Sequence, residues 1–457
     1  MMNCTIFPQT NHKEIVSDLR NSTELPFSKV LAAKAISKKM QELPYRERIF
    51  TPEITLLAFL SQVMDDDHSQ QAAVAKVIAT LVANGKEPPS SNTSAYSQAR
   101  SRLSEDILAS LVRTIAEELA SDIPNNWLWM GRKIKLVDGS TLSMPDTLEN
   151  QTVYPQPDTQ KFDVGFPIAR VVVLIDYITG MVMDLAIGAY SGKETGEHAL
   201  FRQLVPSLAC GDVLLGDRYY PSFFLMATLI QLGVDGVFPM HSARKYDFNQ
   251  GINLGANDHV VEWKKPAKPE WMEQEEYNAF PMEITVREVA IEQHRNGFRS
   301  RTMVLVTTFL EPIVVTRNDL ANLYDYRWFV ELSLRDIKTT MHMDILRGKS
   351  PDMVRKEIWA HLLAYNLIRK IMAQAAVIHE KSTKELSFKL ALQTIKAFQQ
   401  AGILDDNKHD VYLKLLDSIV TKKVGHRNGR QEPRNVKRRP KAFPRLQHAR
   451  GLYKNAA

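Results

Sequence analysis

Apolar residues recur at three- and four-residue spacing through 27–43 and 54–82, with few Gly or Pro to interrupt them. That spacing predicts amphipathic helices. Pro88-Pro89-Ser90-Ser91-Asn92-Thr93-Ser94 reads as a loop, with Asn92 or Ser94 capping a helix that continues through Ala95 to Leu103. This helix carries Arg100 and Arg102. Surface arginines there suit a DNA contact and suit a plain helical bundle equally well.

The pattern changes near residue 133. Lys133 to Thr141 reads as a buried strand that stops at Asp138 and Gly139. Arg170 to Asp176 is rich in β-branched residues. Thr179-Gly180 then turns the chain into Met181 to Ile187, which is a hairpin signal. Thr195 to Leu204 predicts a helix, Asp212 to Asp217 a short buried strand, and Pro221 the start of another helix. Gly236 to Pro239 is a further short strand. Three strands, a helix, a strand, a helix and a strand form the order of a ribonuclease-H-like α/β fold, which ends on a helix. Turn residues and β-type runs (Met282 to Ala290, Thr302 to Thr308) intervene first, as a β-rich insertion. The last helix is expected from Asn318, whose side chain would cap it.

That helix holds Tyr324, Arg327, Glu331 and Lys338. At about 100° per residue the four fall within an arc of about 60° on one helix face. A carboxylate bracketed by two cations and a phenol suits a metal ion flanked by DNA phosphates. The same spacing also serves a solvated, ion-paired face.

Composition narrows the field. The apolar runs are too short to span a bilayer, and the N-terminus lacks a basic region followed by an apolar core. Cys4 and Cys210 cannot build a disulfide framework or a thiolate zinc site. His198, His241, His294 and His342 lack zinc-ligand spacing, and no phosphate-cradling Walker loop is present. The net charge is +6. Lys422 to Arg450 alone holds eleven Lys or Arg against Glu432, so the rest of the chain is slightly acidic. A basic arm of this kind commonly binds nucleic acid.

Two-metal phosphoryl transfer needs carboxylates converging from separate elements. Asp138 ends the first strand of this fold, Asp217 ends the fourth, and Glu331 lies on the last helix. The other acids read as structural. Asp163 falls in a polar connection, Asp176 in a turn, Asp184 on a solvent-facing strand position and Asp212 at a strand start.

Taken together, these segments resemble the insertion-sequence-four family of bacterial DDE transposases. Val137-Asp138-Gly139-Ser140-Thr141 resembles the family's first-aspartate motif and Gly216-Asp217-Arg218-Tyr219-Tyr220 its second. Tyr324, Arg327, Glu331 and Lys338 match its tyrosine–arginine–glutamate–lysine signature. Leu346 to Pro351 and Ala364 to Arg369 resemble the family's stretch beyond the catalytic helix, and Glu432 to Lys441 its basic C-terminus.

The resemblance implies a metal-dependent, cut-and-paste transposase acting on terminal inverted repeats and target double-stranded DNA, as a homodimer in a synaptic complex. Asp138, Asp217 and Glu331 would hold two Mg²⁺ ions, with Mn²⁺ as a substitute. Tyr324, Arg327, Lys338 and Arg218 would hold phosphates, and Lys437, Arg438, Arg439 and Lys441 would grip DNA from the tail. Relatives with the signature pass through a hairpin and stack a flipped base on a tryptophan. Here Trp263 and Trp271 lie in a charged, Pro-rich loop, the strand Thr302 to Phe309 has no tryptophan, and Phe309 serves either as the stacking ring or, more commonly for an aromatic, as core packing.

The expected organisation is a helical DNA-binding domain over 1–125 and a ribonuclease-H-like catalytic domain over 126–240 and 311–372. A β-rich insertion would cover 241–310, and a helical C-terminal region with the basic tail 373–457. No membrane association is expected, and the location is cytoplasmic, with the nucleoid. A ribonuclease-H-like nuclease that cuts without joining, or a catalytically inactive transposase-derived DNA-binding protein, would share much of this sequence.

Overall fold

The computed structural model describes residues 50–83, 90–159, 161, 163–293, 301–400 and 409–421. The helix expected over 27–43, His294 and the tail residues Lys437, Arg438, Arg439 and Lys441 lie outside the described residues. The chain divides into two compact units, Met1–Leu119 with Asp336–His426, and Ala120–Arg335 with Arg427–Ala457.

The first unit is helical. Its described residues open with α1 (Pro52–Met64), α2 (Gln70–Ala83), α3 (Ser94–Arg102) and α4 (Glu105–Ser121). Thr51 starts α1 by accepting the Ile54 N–H at 3.3 Å, with Pro52 in the first turn, where its missing N–H costs nothing. Phe50, Val74, Val77 and Tyr96 share one apolar cluster. α3 is preceded by Thr93 with no side-chain cap bond, and Asn92 instead accepts the Ser94 N–H at 2.8 Å. Arg100 is not a free surface cation. It donates to Gln62 Oε1 at 3.0 Å, beside the Tyr96 hydroxyl on the same oxygen, and lies over the Phe59 ring. Arg102 is exposed.

The second unit is a mixed α/β assembly built on one nine-stranded sheet. Along the chain run β1 (Ile134–Ser143), α5 (Leu148–Val153), β2 (Ile168–Asp176), β3 (Val182–Ala189), α6 (Glu197–Arg202), β4 (Val213–Leu215), α7 (Phe223–Leu232) and β5 (Asp235–Pro239). There follow β6 (Ile252–Gly255), β7 (Asp258–Lys264), α8 (Gln274–Ala279), β8 (Glu283–Gln293), β9 (Arg301–Thr307), α9 (Arg317–Asp325) and α10 (Trp328–Arg335). The sheet order is β3-β2-β1-β4-β5-β9-β8-β7-β6. Only β1–β4 and β4–β5 are parallel. The β-rich segment does not stand apart from the sheet: β9 pairs antiparallel with β5 and carries the others outward.

Burial explains several departures from the pattern. β2 is buried from Val171 through Asp176, as a strand covered on both faces must be. Asp176 is fully buried, paired with Lys135 at 3.1 Å, and accepts the Thr179 N–H at 2.9 Å, so it does organise the turn. Asp184 is buried rather than solvent-facing, because Ser207 donates to it at 2.5 Å. Asp212, also buried, accepts the Ala209 N–H. α7 starts at Phe223 after the Ser222 cap, so Pro221 precedes the helix instead of opening it. Trp263 is a buried β7 residue, not a loop residue, and its indole N–H donates to Glu288 at 2.8 Å.

Returning to the first unit, the chain forms α11 (Pro351–Ile378), α12 (Phe388–Gln400) and α13 (His409–Val420). α11 is buried along most of its length. Glu105 ties it to α4 by accepting from Arg355 at 2.7 Å and from the Trp359 indole at 3.0 Å. The boundary expected at residue 372 falls inside this helix. Among the described residues no helix is long and apolar enough to cross a membrane.

Candidate active site

Strand register brings the two aspartates together. β1 does not stop at Asp138 but runs on to Ser143, paired throughout with β2. Its parallel neighbour β4 is short, and the last matched pair is Leu136 with Leu215. Asp138 and Asp217 each lie two residues beyond that pair. Both leave the same end of the parallel core, and the Asp217 charge acts on Asp138. Asp138 accepts its neighbour's N–H, Gly139, at 2.9 Å. Asp217 accepts the Tyr219 N–H at 2.8 Å, which fixes the turn that leads off the strand.

The third carboxylate arrives from a helix that is not continuous. α9 begins after Thr316, not at Asn318, with a reciprocal capping box between Thr316 and Asp319. At Tyr326 and Arg327 the backbone tightens, and Tyr326, Arg327, Phe329 and Val330 all bond three residues back. α10 then carries Glu331, and a π-type turn spans Asp336–Thr340. Tyr326 stacks on Tyr177 with ring centroids 4.3 Å apart, and Phe329 meets the same ring edge-on at 5.7 Å. This aromatic trio fastens the start of α10 to the end of β2.

Arg327 links the pieces. Its guanidinium hydrogen-bonds to Glu331 one turn on, and its other terminal nitrogen lies 3.9 Å from Asp138. Tyr324 is buried alongside. Burial pushes its hydroxyl up to about 12, with Arg327 opposing and Asp217 adding, so it is a neutral donor. Burial also raises Asp138 to about 6, against the pull of Arg327 and the Gly139 N–H, while Asp217 and Glu197 add to the rise.

Among the described residues no three acidic or histidine side chains converge at metal-ligating distance. Arg327 pairs with Glu331 and faces Asp138. The donors are nonetheless hard carboxylate oxygens in a partly buried, mutually repelling group, which is what a divalent cation relieves. For Glu331 to join such a cation, its side chain must exchange Arg327 for the ion.

Arg218 is exposed, and its charge reaches Tyr324. Lys338 lies in the π-type turn that opens the second segment of the helical unit. His198 sits against the Tyr219 carbonyl, with burial holding its pKa below the ordinary imidazole range. Phe309 is engaged by Trp129 at 5.7 Å and by Arg132 at 5.1 Å. Trp271 is partly exposed under the Arg202 guanidinium, 3.7 Å from its ring centroid.

Two site residues escape the sequence pattern, Glu197 at the start of α6 and Tyr220. The Glu197 carboxyl carbon lies 2.4 Å from where a Cβ on Gly139 would sit. Burial and the Asp217 charge hold Glu197 above the usual carboxylate range, with Arg170 opposing. Tyr220 is fully buried, and its hydroxyl has no hydrogen-bond partner among the described residues. A glycine inside a strand is a signal of close approach, so Gly139 announces a neighbour without saying which.

Residues 129–367 match the family described as transposase DDE domain. The chain is 26% identical to the transposase InsG for insertion sequence element IS4 of Escherichia coli (strain K12), over 77% of this chain and 78% of that protein. A shorter stretch is 36% identical to the putative transposase InsL for insertion sequence element IS186A of the same strain, over 15% of this chain and 19% of that protein. The transposase for insertion sequence element IS421 of Escherichia coli matches to the same extent.

Proposed function

The chain belongs to the transposase DDE-domain family, in its insertion-sequence-four branch, and is a DNA transposase, an enzyme that cleaves and transfers DNA strands; from this we propose how its own residues do so. The family implies a divalent metal, and we assign Asp138, Asp217 and Glu331 to two Mg²⁺ ions, replaceable by Mn²⁺. What supports this reading is the shared register of Asp138 and Asp217, with Arg327 reaching from Glu331 toward Asp138. When bound, such cations activate the attacking oxygen and stabilise the leaving 3′ oxygen.

The remaining work falls to the protein's own groups. Water attacks the phosphodiester at each end of the element, and the freed 3′-hydroxyl then attacks target DNA. No covalent bond to protein is needed. Arg327 releases Glu331 and takes a phosphate in its planar fork, a geometry suited to two parallel hydrogen bonds. The neutral Tyr324 hydroxyl donates to a phosphate oxygen without adding charge. Arg218 and Lys338 are each assigned a phosphate contact, as cations that offset charge on the DNA backbone.

At the level of architecture, the strand and helix order fits a ribonuclease-H-like catalytic domain over 126–240 and 311–372. The region 241–310 elaborates it, 1–125 binds DNA, and 373–457 contributes helices and a basic tail. Pairing two inverted-repeat ends calls for a homodimer.

The test is cleavage of DNA carrying the element's own ends. Wild-type protein should nick at the repeat boundary in Mg²⁺ or Mn²⁺ and then join the ends to a plasmid. Glu331→Gln should lose cleavage, by a factor of about 10³ or more if the ion site is broken, while DNA affinity stays within about twofold. Full cleavage by that variant would move the third ligand elsewhere.

A further inference from the structure

Asp138, Asp217 and Glu331 do not account for all the charge that gathers at this site. α6 approaches β1 at one point, where Gly139 meets Glu197. Any side chain at 139 would overlap the Glu197 carboxylate, since its carbon and both oxygens lie 2.4–2.8 Å from an added Cβ. The glycine therefore fits Glu197 against the strand position next to Asp138. Arg170, the opposing charge that acts on Glu197, is itself engaged elsewhere: it donates to the Thr195 carbonyl at 3.0 Å and lies over the Tyr190 ring.

A second observation is independent of the acids. Tyr220 follows Asp217 by three residues, and its ring fits against Gly216, where an added Cβ would lie 2.9 Å from the ring edge. Phe201 of α6 meets it edge-on at 5.5 Å. The charges that act on its hydroxyl are Glu197, Asp138, Asp217 and Arg327. A fully buried phenol with no partner among the described residues is expensive to maintain. This one faces the carboxylate group, where it is available to a ligand or to a carboxylate that moves when a ligand binds.

We propose that Glu197 is a fourth carboxylate of the divalent-cation site formed by Asp138 and Asp217, seated by Gly139 and backed by the unpartnered Tyr220 hydroxyl. The inference rests on the metal-site reading above. Glu197 contributes to cation affinity, and Tyr220 orients the carboxylates around the ion. Supporting groups of this kind typically change metal affinity by 10–100-fold when removed.

The test is Mn²⁺ binding to the full chain without DNA, read as loss of the free-ion electron paramagnetic resonance signal. Thermal melting in metal-free buffer checks that each variant is folded. Glu197→Gln should weaken Mn²⁺ binding by about tenfold or more, and Tyr220→Phe by a smaller factor. Gly139→Ala should reproduce the Glu197→Gln loss, and combining the two should add little, because both act on one carboxylate. Should Glu197→Gln fail to fold, Glu197→Asp reads the same affinity with the charge kept but the reach shortened. Asp217→Asn is the reference. If Asp217→Asn loses Mn²⁺ and Glu197→Gln binds it like wild type, the fourth-carboxylate assignment is wrong. If Asp217→Asn also binds like wild type, the metal-site reading falls and takes this inference with it.

Discussion

Asp138 carries two opposed demands. In the proposed ion site its carboxylate must be available to a cation, yet burial and the Asp217 and Glu197 charges raise it to about 6. A proton and a cation compete for the same oxygens, so Mn²⁺ affinity should fall as pH drops through about 6 and level off above it. A titration from pH 5 to pH 8 measures this, and a flat profile would contradict it. For stability without metal the sign is reversed. A carboxyl with a raised pKa favours the folded state below the ordinary carboxylate range, and that contribution is lost as pH rises through about 6. Asp138→Asn should therefore raise the melting temperature of the cation-free protein at pH 8 while abolishing cleavage. This is the usual tension between an active site and its scaffold. At this scale Asp138, Asp217 and Glu331 were legible as candidates from the chain, because strand and helix patterns flanked them. Glu197 was not, since an acid in the first turn of a helix is ordinary and only contact with Gly139 distinguishes it.

At the scale of elements, the active helix is held by aromatic packing more than by its own continuity. Tyr177 lies just beyond β2, is buried, and receives both Tyr326 and Phe329. Tyr177→Ala should destabilise the protein by about 3 kcal/mol, the usual cost of emptying a large buried aromatic site. It should also slow cleavage more than it weakens DNA binding, because α10 carries Glu331 and α9 and α10 meet at Tyr326. Urea unfolding and single-turnover cleavage separate the two effects, and equal losses in binding and cleavage would argue against a positioning role. Periodicity foretold one helix from 318 past 338. The chain instead forms α9, two tightened turns, α10 and a π-type turn. Helical spacing keeps Arg327 and Glu331 neighbours through this. It does not register a local tightening at a residue that stacks on a ring from another element.

For the molecule as a whole, charge is divided unevenly. The net +6 resides in the segment Lys422–Arg450, and the rest of the chain is slightly acidic. Deleting that segment should weaken DNA binding and reduce its salt dependence, because a protein that neutralises fewer phosphates releases fewer counterions. Binding constants at several salt concentrations test this, and an unchanged slope would show that the tail does not touch phosphates. The family and the enzyme class were legible at this scale, because separate motifs fell in one order along the chain. The continuity of the sheet was not: β6 to β9 read as an insertion within the catalytic domain, with no sign that β9 hydrogen-bonds to β5. Backbone pairing between strands more than sixty residues apart leaves little trace in local composition.

By itself the sequence determined the type and order of most elements, the order of the candidate carboxylates and the family, because each depends on local periodicity, residue type and motif order. Only the tertiary structure decided who stands beside whom. Register brought Asp138 near Asp217, a missing side chain at Gly139 admitted Glu197, and an aromatic stack joined Tyr326 to Tyr177 where the helix tightens. These contacts join distant segments and are fixed by hydrogen-bond register and close packing, which no single stretch of chain specifies.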